Sequence, residues 1–116
     1  MAGYPKQKSK KKRKIHKASI LHKKDGTCYL CARLNGDYSY KYTEEHHVFG
    51  GKANRVISEA EGLKVYLCLY HHREGPEAVQ NNRENNRLVQ QDAQRAFEKT
   101  HTRKEFMDLI GRNYLE

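Results

Sequence analysis

The chain has 116 residues, the length of one small domain. Only 36% of its residues are apolar and 32% are charged, so we expect a small core that a metal ion or disulfides must support. Three cysteines cannot all pair with one another, and no apolar run is long enough for a signal peptide or a membrane span, which predicts a cytoplasmic protein with reduced thiols and no membrane contact.

The excess positive charge lies at the start of the chain. Residues 1–24 hold ten of the 23 Lys and Arg residues and no acidic residue, which leaves 13 basic residues against all 14 acidic ones in residues 25–116. Because like charges repel and few apolar residues are nearby, we expect disorder up to about Ile20 and a domain boundary at residue 25. The densest basic run is Lys10, Lys11, Lys12, Arg13 and Lys14. It predicts an arm that binds DNA phosphates in a salt-dependent way, with a solubilising or nuclear-import extension as the alternative.

The first part of the folded region carries a strand pattern. Tyr38, Tyr40 and Tyr42 alternate with polar residues, a period of two that predicts a strand with one aromatic face. The turn signal at residues 35–37 stands just before them. Residues 28–43 are therefore expected to form a hairpin-like arm.

The next expected elements are a strand and two helical segments. Residues 63–67 are rich in β-branched and aromatic types and predict a short strand, preceded by a long loop over residues 48–62. An apolar stripe of approximate helical spacing predicts one helix or a broken pair over residues 76–99. Thr102 and Glu105 have the spacing of a capping box at the start of a last helix, and Gly111 is a stop signal.

Two pairs of metal-binding residues have the spacing of a zinc site. Cys28 and Cys31 form one pair, and Cys68 and His71 form the other, each separated by two residues. Such pairs arise where a turn directs two side chains at one ion, and zinc takes four thiolate or imidazole ligands in tetrahedral geometry. The sequence therefore predicts a structural zinc, with His72 in place of His71 as an open variant.

Between Cys28 and His72, three histidines remain once the zinc is saturated, and they suit phosphodiester hydrolysis. His46 and His47 are adjacent near the expected end of a strand, where successive side chains leave on opposite sides of the backbone. One imidazole can then face a second divalent ion while its neighbour accepts a proton from water. His72 follows a zinc ligand and is expected opposite His46. The alternative is that these are surface histidines, or that His72 belongs to the zinc shell.

The string from Cys28 to His72 resembles the zinc-bearing branch of the HNH endonucleases. The residues that carry the resemblance are Cys28-x-x-Cys31, Glu45-His46-His47-Val48, Gly50-Gly51, Gly62-Leu63 and Leu67-Cys68-x-x-His71-His72. The resemblance covers about residues 28–80. The same region is also similar to small phage-encoded nucleases. The resemblance implies an α+β, ββα-metal (His-Me finger) domain with C-terminal helices, a structural zinc and a catalytic Mg²⁺ or other divalent metal. It also implies His47 as general base and His46 and His72 as ligands of the catalytic ion.

The sequence departs from the HNH pattern at two places. No residue matches the central Asn that orients the base, and the third ligand of the catalytic ion is open among Asn81, Asn82 and Asn85. The function expected is metal-dependent DNA cleavage. A non-catalytic zinc module that binds nucleic acid, and a protein-binding adaptor, are the alternatives, and a protein partner that recruits the domain is compatible with each.

Overall fold

The computed structural model describes residues 15–116, in which short helices surround one antiparallel pair of strands. The elements are α1 (Tyr29–Asn35), β1 (Glu44–His47), α2 (Lys52–Glu61), β2 (Lys64–Leu67), a π-helical turn (Tyr70–Glu74), α3 (Arg83–Phe97) and α4 (Arg103–Ile110). This arrangement is a small α+β fold, as predicted at that level of detail. The basic run Lys10–Lys14 lies outside the described residues. Within residues 15–116 no helix combines the length and the apolar composition that a membrane span needs.

The hairpin-like arm predicted over residues 28–43 is wrong. Cys28 instead caps α1, its sulfur accepting from the backbone N–H of Cys31 at 3.5 Å, and the helix ends at Gly36 in the left-handed conformation. The alternating tyrosines that follow belong to a loop. There the Asp37 carboxylate accepts from the Ser39 backbone and the Lys41 ammonium, and such local bonds compete with strand pairing.

The sheet consists of β1 and β2 in antiparallel register. Glu44 lies opposite Leu67 and His47 lies opposite Lys64. All four residues of β2 are buried, which confirms the strand predicted over residues 63–67. All four residues of β1 are polar and none is fully buried, so β1 is the strand of the sheet that presents polar side chains, next to the buried strand β2.

The loop predicted over residues 48–62 is also wrong, because most of it is α2. Its apolar residues have helical spacing: Ile57 packs on the core, and the Ser58 hydroxyl beside it donates to the carbonyl of Phe49. The helix ends at Gly62, which has φ of 73°. A Cβ at that glycine would collide with the carbonyl oxygen of Ala18.

Part of the predicted tail packs against the body. The backbone N–H of Lys17 donates to the carbonyl of Glu59 at 3.1 Å, and that of Ile20 donates to the carbonyl of Gly62 at 2.9 Å. Ile20 and Leu21 are partly buried against the core. The packed part of the chain thus begins before the expected boundary at residue 25.

The C-terminal helices close the core behind the sheet. The helix expected over residues 76–99 is shorter: α3 begins after Asn82, whose side chain accepts from the backbone N–H of Asn85 at 2.9 Å. The capping box at Thr102 is confirmed, as is the stop at Gly111. Aromatic rings of α3, α4 and the segment after β1 meet edge to face in the centre, with Phe106 5.3 Å from Phe49 and 5.7 Å from Phe97.

Candidate metal centres

The two predicted zinc-ligand pairs meet in one buried cluster. Nδ1 of His71 lies 3.7 Å from the sulfur of Cys28, 3.4 Å from that of Cys31 and 3.6 Å from that of Cys68. The sulfurs of Cys31 and Cys68 are 3.8 Å apart. A tetrahedral ion with Zn–S bonds of about 2.3 Å separates its sulfur ligands by about 3.8 Å. The donor set and its spacing could therefore hold a metal ion such as zinc.

Local structure directs these four side chains inward. Cys28 and Cys31 flank the first turn of α1, while Cys68 follows β2 and His71 lies in the π-helical turn. Nε2 of His71 is buried, has no hydrogen-bond partner within residues 15–116, and lies 3.5 Å from the Glu77 carboxylate. An imidazole that binds zinc through one nitrogen commonly directs the other at a carboxylate, so Glu77 is placed to orient His71.

The chemistry of the cluster favours a cation. Burial first, and then the nearby Cys28 and Cys68 sulfurs, raise the pKa of the Cys31 thiol to about 12. Three sulfurs packed this closely cannot share negative charge unless a positive ion compensates it, and a bound zinc deprotonates the thiols that coordinate it. The fit of the cluster to zinc thus follows from its charge as well as from its distances.

The four polar residues of β1 divide between the two faces of the strand. Side chains alternate along a strand, which puts Glu44 and His46 on one face and Glu45 and His47 on the other. We call the groups around the first pair the histidine face and those around the second pair the glutamate face. The predicted metal ligand His46 and the predicted base His47 therefore have different neighbours.

The histidine face brings together Glu44, His46 and His72. The rings of His46 and His72 lie edge to face with centroids 5.3 Å apart. Nδ1 of His72 donates to the Glu44 carboxylate at 2.7 Å, and Arg73 binds the same carboxylate through two nitrogens at 2.9 and 3.0 Å. These hydrogen bonds, from Arg73 first and then His72, hold the pKa of Glu44 at about 2.

His46 has an unsatisfied nitrogen on this face. Its Nε2 is buried and has no hydrogen-bond partner among the described residues. Burial first, and then the neighbouring His72 and His47, lower the pKa of His46 to about 4. The ring is therefore neutral at physiological pH and carries a lone pair beside a second imidazole.

The glutamate face joins His47 to α2 and β2. Nε2 of His47 donates to the Glu59 carboxylate at 2.8 Å, and it lies 3.8 Å from Glu45. The Lys64 ammonium bridges the two glutamates at 3.0 Å from each. The hydrogen bond from His47 is the main cause that holds the pKa of Glu59 at about 2, helped by His16 and Lys64.

The asparagines considered as a third ligand serve the backbone instead. The Asn81 amide donates to the carbonyls of Arg73 and Gly75, Asn82 caps α3, and the Asn85 amide donates to the carbonyl of Glu77. The structure does not bring them to the histidines. Glu44 and Glu59 are the groups that contact His72 and His47, and sequence reasoning missed both. The run of two glutamates and two histidines was a signal for Glu44, whereas no local signal pointed to Glu59, which lies on α2.

Comparisons with models of known protein families, with curated proteins and with solved structures found no match to this chain.

Proposed function

We propose that the chain is a metal-dependent endonuclease of the HNH, ββα-metal type, which hydrolyses DNA phosphodiesters at β1. The observation that carries the proposal is the buried Nε2 of His46, which has no hydrogen-bond partner among residues 15–116, in a ring that lies edge to face with that of His72. The order of β1, β2 and the helical segment that starts at residue 70 supports the same fold type. The Cys₃His cluster has a structural role in this proposal.

The histidine pair is close to the spacing of two ligands on one ion. An octahedral Mg²⁺ or Mn²⁺ binds neighbouring ligands at about right angles, which puts two imidazole centroids about 4.6 Å apart. The observed separation is 5.3 Å, so a small movement of either ring brings both nitrogens to one ion. Because Nδ1–H of His72 is committed to Glu44, its Nε2 is left as the basic nitrogen. His46 and His72 would hold a divalent ion, and that ion would supply positive charge to the phosphate and to the leaving oxygen.

His47 is the proposed general base. Its Nε2–H donates to Glu59, which leaves Nδ1 able to accept a proton from water. Glu59 therefore fixes the ring and its tautomer, the task that the central Asn performs in the HNH pattern. The attacking water gives its proton to His47, its oxygen bonds to phosphorus, and the P–O bond to the leaving 3′ oxygen breaks.

The experiment is a plasmid-nicking assay with added Mg²⁺ or Mn²⁺. We expect His47→Ala to reduce the nicking rate roughly 10²- to 10⁴-fold, the usual contribution of a positioned base, and His46→Ala to reduce it at least as much. His101→Ala is a matched control, because His101 stacks on Phe97 and touches neither face of β1. Nicking that survives His47→Ala unchanged excludes His47 as the base.

A non-catalytic zinc module that binds nucleic acid is the second candidate. It is favoured by Lys64, whose ammonium already neutralises Glu45 and Glu59 and so makes the glutamate face a closed ion-pair network. This candidate predicts salt-sensitive DNA binding, one zinc per chain and no nicking with any divalent metal.

A further inference from the structure

A basic groove runs between the segment 18–24 and one side of α3. It encloses about 750 Å³ and has a single acidic residue, Asp92, in its lining. Five basic side chains line it: Lys23, Lys24, Arg33, Arg95 and Lys99. Lys23 and Lys24 belong to the basic segment 1–24, and the other three come from the near-neutral region 25–116, so the fold extends the positive charge of the N-terminal segment onto α1 and α3.

Asp92 binds the two arginines of the groove and leaves most of the positive charge of the groove uncompensated. The carboxylate accepts from the Tyr29 hydroxyl at 2.6 Å, from Arg33 at 3.0 Å and from Arg95 at 3.2 Å. None of the ion pairs found within residues 15–116 includes the three lysines of the groove. The lining carries five positive charges against one negative charge, which suits a polyanion.

Exposed tyrosines continue this surface towards the histidine face. Lys24 lines the groove and also a smaller depression that Tyr40 and Tyr42 line. These two rings are 84% and 68% exposed. The hydroxyl of Tyr42 lies 3.4 Å from the Glu44 carboxylate, the group that holds His72.

We propose that the groove and the two tyrosines form a binding path for an unpaired nucleic acid strand, which they guide to the histidine face. Lysine and arginine side chains neutralise the phosphates, while exposed aromatic rings stack on bases that only a single strand presents. Bases inside a duplex are already stacked on one another. The inference rests on the proposed function and names its substrate class: single-stranded DNA, or a frayed or looped segment of a duplex.

The first test measures binding of the full chain to a labelled single-stranded oligonucleotide by fluorescence anisotropy. We expect Arg95→Gln with Lys99→Gln to weaken binding and to lower the magnitude of the salt slope by about 1.4, because two phosphate contacts are lost. Arg83→Gln with Lys104→Gln is the matched control, since it removes the same two charge types from exposed positions outside the path. Equal losses in the two double variants overturn the groove.

The second test separates ring stacking from charge. We expect Tyr40→Leu with Tyr42→Leu to weaken single-strand binding roughly tenfold, while Phe at both positions retains it, because a phenyl ring still stacks. A duplex of the same sequence should bind more weakly and should not respond to the leucine variant. Duplex binding as tight as single-strand binding, or leucine variants that bind like the wild type, overturns the path.

These binding results are independent of cleavage. If the substitutions in the path weaken single-strand binding but the wild type does not nick DNA, the proposed endonuclease is overturned and the path stands. If the wild type nicks DNA but neither set of substitutions changes single-strand binding, the path is overturned and the proposed endonuclease stands.

Discussion

His71 and His72 are neighbours in the chain, yet their side chains face different groups. Nδ1 of His71 points into the thiol cluster, whereas Nδ1 of His72 is bonded to Glu44. This settles the choice between them for the Cys₃His cluster, because His72 has no place among the sulfurs. A single residue step along the π-helical turn thus separates a folding ligand from a candidate catalytic one.

Glu44 offers a test of the histidine face that leaves the fold intact. We expect Glu44→Gln to weaken Mn²⁺ binding by the zinc-loaded chain about 10- to 100-fold, because the carboxylate orients His72 and increases its basicity. Isothermal titration measures the affinity. Glu45→Gln, one residue away on the opposite face, is the matched control. Equal affinities in the two variants would contradict the role given to Glu44.

His22 gives the fold a dependence on pH. Its Nδ1 accepts from the backbone N–H of Tyr66 at 3.0 Å, and burial lowers its pKa below 6.5, although Asp25 opposes the shift. Near pH 6.5 the imidazole of His22 therefore takes up a proton more readily in the unfolded chain than in the folded chain. The free energy of unfolding falls as the pH drops below that value.

Urea unfolding at pH 7.5 and 5.5 measures this effect. We expect His22→Asn to lose less stability between the two pH values than the wild type, because the amide oxygen can replace Nδ1 as the acceptor and does not titrate. The measured quantity is the difference between the two proteins, since His46 adds acid sensitivity to both, as would any metal bound by the Cys₃His cluster. An identical pH response would exclude His22 as a source.

At the level of elements, α2 joins the N-terminal segment to the glutamate face. Its residue Glu59 binds His47 through the side chain and Lys17 through the backbone carbonyl. The turn that follows, at Gly62, accepts from Ile20. The helix thereby fixes both the candidate base and the segment that lines the basic groove.

Gly62→Ala tests how strictly that turn is required. We expect a loss of roughly 1–3 kcal/mol in the free energy of unfolding, because the left-handed backbone and the carbonyl of Ala18 both oppose a Cβ. Gly36→Ala is the control: its φ of 64° is similar, but nothing lies within 4 Å of the new methyl group. Chemical denaturation of both variants should show the larger loss at Gly62.

Sequence patterns predicted the elements whose signals are local. The capping box at Thr102 and the buried strand before Cys68 are read from neighbouring residues, and both are present. The alternation of Tyr38, Tyr40 and Tyr42 indicated a strand. A segment with such alternation forms a strand only where a partner strand is available to pair with it. The helix α2 has apolar residues at helical spacing, but the glycines at 50 and 51 before it favoured a loop, and its fully buried residue is the polar Ser58.

The candidate site was predicted in its residue types and only partly in its arrangement. Spacing alone indicated the Cys₃His cluster, which the structure brings together. Glu59 comes to His47 from twelve residues away, across a helix that was not expected. Partners of that kind depend on chain topology, so a sequence can supply the histidines without showing what orients them.

On the scale of the whole molecule, the Cys₃His cluster joins three elements that are distant from one another in the sequence or differ in type. It links α1, the end of β2 and the π-helical turn, and its cysteines belong to the hydrophobic core. A domain with so few apolar residues depends strongly on such a link.

Removal of the metal is therefore expected to unfold the domain. We expect one zinc per chain by metal analysis and loss of the cooperative thermal transition when a strong chelator is added, with recovery on zinc readdition. Cys31→Ser should reproduce the loss without a chelator. A Ser substitution at Ala53, an exposed position on α2, serves as the control and should leave the transition unchanged. A chelated protein that melts like the untreated one would contradict a structural metal.

The π-helical turn has a consequence for how the protein responds to its surroundings. Five residues, Tyr70–Glu74, carry a ligand of the Cys₃His cluster and, directly after it, a member of the histidine face. Stripping zinc or oxidising one thiol would release His71, and the same backbone turn would then no longer present His72 to Glu44. Under zinc limitation or oxidative stress, the histidine face would therefore lose its arrangement together with the cluster, whether or not a substrate is bound.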